Sequence, residues 1–296
     1  MTCVSVVIPT FNREHFIAQS VISALKQTKK PNEILVIDDG STDQTWDVLK
    51  KLGFSRSTSK HISLRYIYQE NKGVSAARNL GIKESKYNFI ALLDSDDIWL
   101  DQKLERQMAQ LMQQKDNYRL SHTEEIWFRD GIRVNAKKHY SKSGGEIFQK
   151  CLKLCCISPS ASLIERSVFD DFGFFDESLL VCEDYDFWLR YCAYEKVHFV
   201  DERLTIKNGG HTDQLSRAHW GLDRYRIYAL EKLLQDRNLN LNKQQKTLKE
   251  VISRLEILIN GAQKRNKTQF VQALIRKQSQ WKDALTNETS SPNYPC

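Results

Sequence analysis

The chain is poor in the features that would place it in several common classes. No uninterrupted apolar run reaches the roughly 18 residues that a membrane span needs, and the opening MTCVSVVIPT has no basic leader of the secretory kind. The expectation is a cytoplasmic protein, peripheral at the inner membrane face if it attaches to a membrane. There is no CxxC pair, and the seven cysteines (Cys3, Cys151, Cys155, Cys156, Cys182, Cys192, Cys296) are odd in number. That combination argues against both a structural zinc site and a disulfide framework, so the thiols read as reduced and mostly buried. Nor does a GxGxxG follow the first strand. PTFNR stands there instead, which excludes the usual dinucleotide fingerprint. Internal repeats and low-complexity segments are also missing.

What remains is an ordinary globular composition, 41% hydrophobic and 27% charged, long enough at 296 residues for one large α/β domain and an appendage. The net charge of +7 is unevenly distributed. Residues 231 to 285 hold 12 Lys/Arg against 5 Asp/Glu, whereas residues 1 to 230 hold 32 against 31. A basic tail suits an acidic partner such as an anionic membrane face, and it equally suits a solvated helix surface. Nothing in it points to nucleic acid.

The first hundred residues alternate between two periods. VSVVIP (4–9), EILVID (33–38), ISLRYIY (62–68) and NFIALL (88–93) are short β-branched runs that predict strands. Between them, helical spacing appears over roughly 14–27 (Phe16, Ile17, Val21, Leu25), 44–52 (Trp46, Leu49) and 74–85 (Ala77, Leu80, Ile82). Strand, helix, strand at this spacing predicts a mainly parallel sheet flanked by helices, with ligands bound beyond the carboxyl ends of the strands. Each strand is followed there by polar residues: Pro9 to Arg13, Asp38 to Asp43, Gln69 to Gly73, and Asp94 to Asp97. Four such loops on one edge predict a lined cleft.

Further along, residues 100–128 predict a helix (Leu104, Met108, Leu111), then an extended run ending in the turn signal Asp130-Gly131. A short helix is expected near 146–154, a strand after 162 and a helix beginning near Glu183. From about 222 the pattern is helical, with Leu248, Val251, Ile252, Leu255 and Ile259 on one stripe. Asn260-Gly261 is expected to end that helix, another follows with Phe270, Leu274 and Trp281, and TNETSSPNYPC reads as a frayed end.

The stretch LLDSDD (92–97) sets three carboxylates at the mouth of a buried strand. One aspartate is enough to cap a helix, and a role-free turn would use glycine or asparagine rather than repelling charges. A divalent cation site is the third explanation, since hard oxygen ligands suit Mg or Mn and leave shell positions for a diphosphate.

Five motifs in order then resemble one family. VSVVIPTFNR (4–13), EILVIDDGSTDQT (33–45), NKGVSAARNLGI (71–82), LLDSDD (92–97) and CEDYDFWLR (182–190) are similar to those of the inverting family 2 glycosyltransferases of the GT-A fold, over about residues 3–215. The resemblance implies a GT-A domain over 1–220, with a nucleotide-sugar half at 1–100 and an acceptor half at 101–220. A helical C-terminal extension would occupy 221–296. By the resemblance, Pro9, Thr10, Phe11 and Arg13 line the nucleotide end, and Asp39 accepts a hydrogen bond from the base. Lys72, Gly73 and Arg78 lie near the nucleotide and its phosphates. Asp94, Ser95 and Asp96 form the DxD motif, in which Asp96 coordinates Mn or Mg and Asp94 holds ribose hydroxyls or metal-bound water. Asp97 caps the next helix. Asp184 is the base that deprotonates the acceptor, with Glu183 in support or serving as a helix N-terminal charge. His211, in KNGGHTDQLS (207–216), is a third metal ligand or a solvated loop histidine. Trp188 flanks the acceptor sugar or belongs to the core.

The implied activity is a metal-dependent transfer of a hexosyl group from a nucleoside diphosphate sugar, UDP-linked first, to a saccharide, lipid-linked or protein hydroxyl in surface polysaccharide or glycolipid synthesis. A nucleotide-sugar-binding scaffold without catalysis and a nucleotidyltransferase are the rival readings.

Overall fold

The computed structural model describes residues 2–54, 62–114, 117–135, 140–210 and 220–286. Strands β1 (Val4–Thr10), β2 (Glu33–Asp38), β3 (Ser63–Tyr68) and β4 (Phe89–Leu92) alternate with helices α1 (Ile17–Leu25), α2 (Thr45–Lys51) and α3 (Val74–Glu84). These four strands pair in parallel, in the order β3-β2-β1-β4. Their side chains alternate between two apolar layers. Val7, Leu35 and Ile37 face the layer that contains α3, while Val6, Ile8, Ile34 and Val36 face that of α1 and α4 (Lys103–Gln113). Burial on both faces is why the runs are continuously apolar rather than alternating.

The second half turns the sheet antiparallel. A two-residue strand β5 (Ile98–Trp99) precedes α4, and β6 (Leu120–Arg129) forms a hairpin with β7 (Ile132–Val134). Asp130 (φ 51°) and Gly131 (φ 74°) both take the positive φ of a primed turn, as their sequence predicts. Then come α5 (Phe148–Lys153), β8 (Ser162–Glu165), α6 (Ser167–Phe172), α7 (Glu183–Cys192) and β9 (His198–Gly209). β8 joins the halves by pairing antiparallel with both β4 and β6, and β9 lies between β6 and β5. The parallel character is therefore confined to the first four strands and the β6–β9 pair.

Three helices follow: α8 (Asp223–Leu234), α9 (Leu241–Gln263) and α10 (Thr268–Thr286). Their apolar stripes share one cluster with α7, through residues such as Tyr185, Trp188, Leu230, Leu255 and Trp281. Lys232 ties α8 to α7 by bridging Asp176 and Asp186. Asn260-Gly261 does not end α9, which runs on to Gln263. Ala262 is buried, and a mid-helix glycine costs only about 1 kcal/mol, which packing overrides. Asn266, at φ 55°, supplies the left-handed stop instead. TNETSSPNYPC falls outside the described residues beyond Thr286. The six described cysteines are free thiols, but Cys155 is exposed and Cys3 and Cys182 are half-buried, so burial is less general than expected. Cys296 lies outside the described residues.

Candidate active site

The loops after β1, β2 and β3 are knitted together at the carboxyl edge of the sheet. Asp39 is the centre of this knot. Its carboxylate accepts from Gln69 Nε2 (2.6 Å), the Lys72 amide (2.9 Å) and the Gly73 amide (2.8 Å), so it caps the N-terminus of α3 from another loop. Gly73 enters the helix at φ 90°, and a Cβ there would meet nothing within 4 Å, so the requirement is conformational rather than spatial. Asp38 and Asp43 hold the turn between β2 and α2: Asp38 accepts from the Ser41 amide and Tyr66 Oη, and Asp43 from the Thr45 and Glu14 amides. Thr45 Oγ1 accepts from the Arg13 amide, which fixes the β1 loop against α2. Thr10 is buried with its hydroxyl unpartnered, whereas Phe11 stands 43% exposed beside it. Pro9, Thr10, Phe11, Arg13, Asp39, Lys72 and Gly73 thus lie on adjoining loops of one edge.

A second group forms on the turn after β4. Arg78, on α3 and only 4% exposed, reaches Asp94 through one terminal nitrogen (2.8 Å) and Glu183 through the other (2.6 Å). One guanidinium therefore joins the DxD turn to the start of α7. Lys207 approaches the same turn from β9, contacting Asp94 Oδ2 (3.3 Å) and making a close ion pair with Asp97. Ser160 completes it: its hydroxyl donates to Asp97 (2.5 Å) and accepts from the Asp94 amide (3.0 Å). Ser95 is buried within the turn, and the Asp96 carbonyl accepts from Asn208 Nδ2 (2.8 Å).

These contacts set the charges. Burial alone would raise Asp94, but Arg78 and Lys207 overcome it and hold the carboxylate well below its ordinary range. Burial likewise works against Arg78, and Asp94 and Glu183 more than reverse that, keeping it cationic. Burial raises Glu183 against the pull of Arg78. Burial also pushes Asp97 up to about 8, opposed by Lys207 and reinforced by Asp96 and Asp94.

Asp97 is not the helix cap expected of it. β5 intervenes before α4, and Asp97 is fully buried against Lys207, Ser160 and the Asn208 amide. Part of the expected 207–216 loop is also strand, since Lys207 to Gly209 belong to β9. His211 lies outside the described residues. Trp188 is 1% exposed and belongs to the core rather than to a sugar-facing wall. Arg78 points at carboxylates, so any diphosphate would meet it through the Asp94 turn.

Asp184 is half-buried on the first turn of α7, next to Glu183. Its Oδ1 accepts from the Tyr185 amide (2.7 Å) and its Oδ2 from Cys155 Sγ (3.1 Å). Although Cys155 is exposed as a residue, desolvation of its sulfur where it packs on the protein, and then the Asp184 carboxylate, push the thiol well above its ordinary value. Sequence reasoning missed Ser160, Lys207 and Cys155. Each comes from the second half and touches the acidic residues only after the chain folds back.

No group of three or more His, Cys, Asp or Glu side chains is poised on one point among the described residues. The acidic turn instead offers two carboxylates two positions apart. Asp94 is already shared by two protein cations, Arg78 and Lys207. One or two carboxylates completed by substrate phosphate oxygens is how Mg is commonly held, so the donor set fits a cation brought in with a diphosphate.

The family model described as Glycosyl transferase family 2 matches residues 5–173, more than half of the chain. The chain belongs to that family. An uncharacterized glycosyltransferase of Rickettsia felis is 31% identical over 204 residues, covering 69% of this chain and 32% of the relative. The match thus spans about a third of the length of the first curated relatives. A relative of fuller overlap is the Escherichia coli UDP-Glc:alpha-D-GlcNAc-diphosphoundecaprenol beta-1,3-glucosyltransferase WfgD, 34% identical over 63% of this chain and 68% of its own. Among solved structures, S. aureus TarS 1-349 in complex with UDP-GlcNAc superposes with a TM-score of 0.69 at 19% identity, over 85% of this chain and 72% of that one. The α/β architecture is thereby that of TarS, with helices following the sheet.

Proposed function

We propose that this family 2 protein transfers a hexosyl group from a UDP-sugar to a hydroxyl of a lipid-linked saccharide, with inversion at the sugar carbon. The observation that carries the reading is the Arg78 bridge: the turn bearing Asp94 and Asp96 and the helix start bearing Asp184 are held on one guanidinium. A donor site and a base need that proximity, because an inverting transfer is a single displacement with the acceptor opposite the leaving group. The donor and acceptor classes follow the names of the relatives, since WfgD is named for a UDP-glucose donor and a diphosphoundecaprenol-linked acceptor, and TarS was crystallised with UDP-GlcNAc.

In this reading Phe11 and Thr10 line the nucleotide end, and Asp39, already accepting three hydrogen bonds, holds the β2 and β3 loops around it while one remaining lone pair meets the base. Asp184 takes the acceptor proton. Glu183 and Arg78 fix the start of α7 relative to Asp94. A divalent cation held by Asp96 would neutralise the charge that develops on the diphosphate leaving group. The GT-A unit is assigned to 1–220 and the helical extension to 221–296.

The test is a thermal-shift titration with UDP, dTDP and GDP, each with and without manganese. Stabilisation by UDP that requires the metal supports the reading. No shift with any pair removes its donor half and favours a protein that does not handle nucleotide sugars. Release of pyrophosphate from a nucleoside triphosphate would instead mark a nucleotidyltransferase.

A further inference from the structure

The turn between α9 and α10 presents a run of exposed basic residues. From residue 257 to residue 282 the sequence contains six Lys/Arg and no Asp or Glu. Lys264, Arg265 and Lys267 are exposed on that turn. Folding brings an aromatic group to them from far upstream: Trp220, 51% exposed, lies under the Lys267 ammonium at 4.2 Å and the Arg224 guanidinium at 3.9 Å from its ring centre. Phe270 meets its edge at 6.3 Å. A half-exposed indole between two cations is poorly placed for folding alone, because half of its surface stays in water while its polar neighbours remain hydrated.

Its position relates it to the site. Trp220 is two residues before Leu222, whose carbonyl faces Cys182 Sγ at 3.9 Å. Cys182 in turn immediately precedes Glu183 and Asp184. The segment that carries Trp220 therefore passes beside the start of α7, where the candidate base sits.

We infer that this patch docks the protein on an anionic phospholipid bilayer, with the Trp220 indole at headgroup depth and Arg224, Lys264, Arg265 and Lys267 over the lipid phosphates. Interfacial tryptophan flanked by Lys/Arg is the chemistry that such a surface recognises; the 26-residue segment has no acidic residue of its own, and Glu231 of α8, which contacts it, is engaged by Lys277 and Trp281. The inference rests on the lipid-linked acceptor reading above, and the segment that carries Trp220 passes beside the helix start that carries Asp184. The basic tail is thus half of the device, and an aromatic residue outside the tail is the other half.

Co-sedimentation of the full chain with phosphatidylcholine vesicles, with and without phosphatidylglycerol, tests it. Partition onto the anionic vesicles is expected to exceed that onto neutral ones and to fall with added salt. The triple variant Lys264→Gln, Arg265→Gln, Lys267→Gln should lose on the order of a hundredfold in partition, at roughly fivefold per cation. Doxyl-labelled lipid should quench a fluorescence component that Trp220→Phe removes. The UDP thermal shift is the control: its retention in these surface variants with loss of vesicle binding supports the patch. Equal binding to neutral vesicles, unchanged binding by the triple variant, or binding only to a soluble polyanion such as heparin overturns it. A missing UDP shift in the wild-type chain that still binds anionic vesicles would count against the donor reading and leave the patch standing.

Discussion

Arg78 contacts Asp94 at 2.8 Å and Glu183 at 2.6 Å from a position that is almost fully buried. Desolvating three charges is costly, and the arrangement persists because each carboxylate is paired and Lys207 adds a fourth group. Removing Arg78 leaves the buried Glu183 without its cation, while Asp94 keeps only Lys207. Arg78→Ala is expected to lose about 3–5 kcal/mol in urea unfolding. Arg78→Lys should recover only part of it, since one ammonium cannot fork to both partners. Unchanged stability in the alanine variant would mean the bridge does not form.

Asp184 and Asp96 should separate under mutation. Asp184→Asn keeps the shape of the helix start and removes the proton acceptor, so UDP binding is expected to persist while turnover falls roughly 10²–10⁴-fold. Asp96→Ala is expected to weaken manganese-dependent UDP stabilisation as well as turnover. Near-normal turnover in Asp184→Asn would sink the base assignment.

His122, on β6, gives a pH prediction that does not involve the acidic turn. Burial first, then Lys142, Lys150 and His198, pushes its imidazole down to about 3, opposed by the Ser143 carbonyl at 3.0 Å. An unfolded histidine titrates near 6.5, so above that pH both states are neutral and stability is full. As pH falls from about 6.5 towards 3, the unfolded chain gains a proton that the folded one refuses, and stability is lost. His122→Gln should therefore show a shallower fall of melting temperature between pH 6.5 and 4 than the wild type. Parallel curves would refute the assignment.

Gly81 tests the packing of α3. A Cβ at this helical position would lie 2.3 Å from Val7 Cγ1 and 3.0 Å from Ile37 Cγ1, both in the centre of the sheet. Gly81→Ala gains helix propensity but overpacks, and a net loss of about 1–3 kcal/mol is expected. A stabilised variant would show that the helix can shift away from the sheet at little cost.

The first four strands were legible because each is a continuous apolar run between turn residues, and Glu33–Asp38 coincides with its predicted bounds. The acidic turn was legible for a related reason: three carboxylates after such a run need an explanation. What the sequence concealed is relational. Ile98–Trp99 is too short to show a period, and β9 mixes polar and apolar residues because only parts of it are covered. Asp97 looked like a cap because Lys207, which neutralises it, lies 110 positions away. Asn260-Gly261 carried a local stop signal that tertiary packing overrode. Trp220 and Lys267 show no relation in sequence at all, since nothing local links a residue before α8 to the turn after α9.

The place of β8 has a consequence for how the gene can be divided. β4, the last of the four parallel strands that open the chain, is covered on its outer side by Leu163 to Glu165 of the second half. A fragment ending near residue 100 would leave the β8-facing edge of this apolar strand unpaired, an open template for another copy. The first half is therefore not a cassette that can be grafted onto a foreign second half. Exchange of specificity between relatives would have to be made through loops, with both halves of the sheet inherited together.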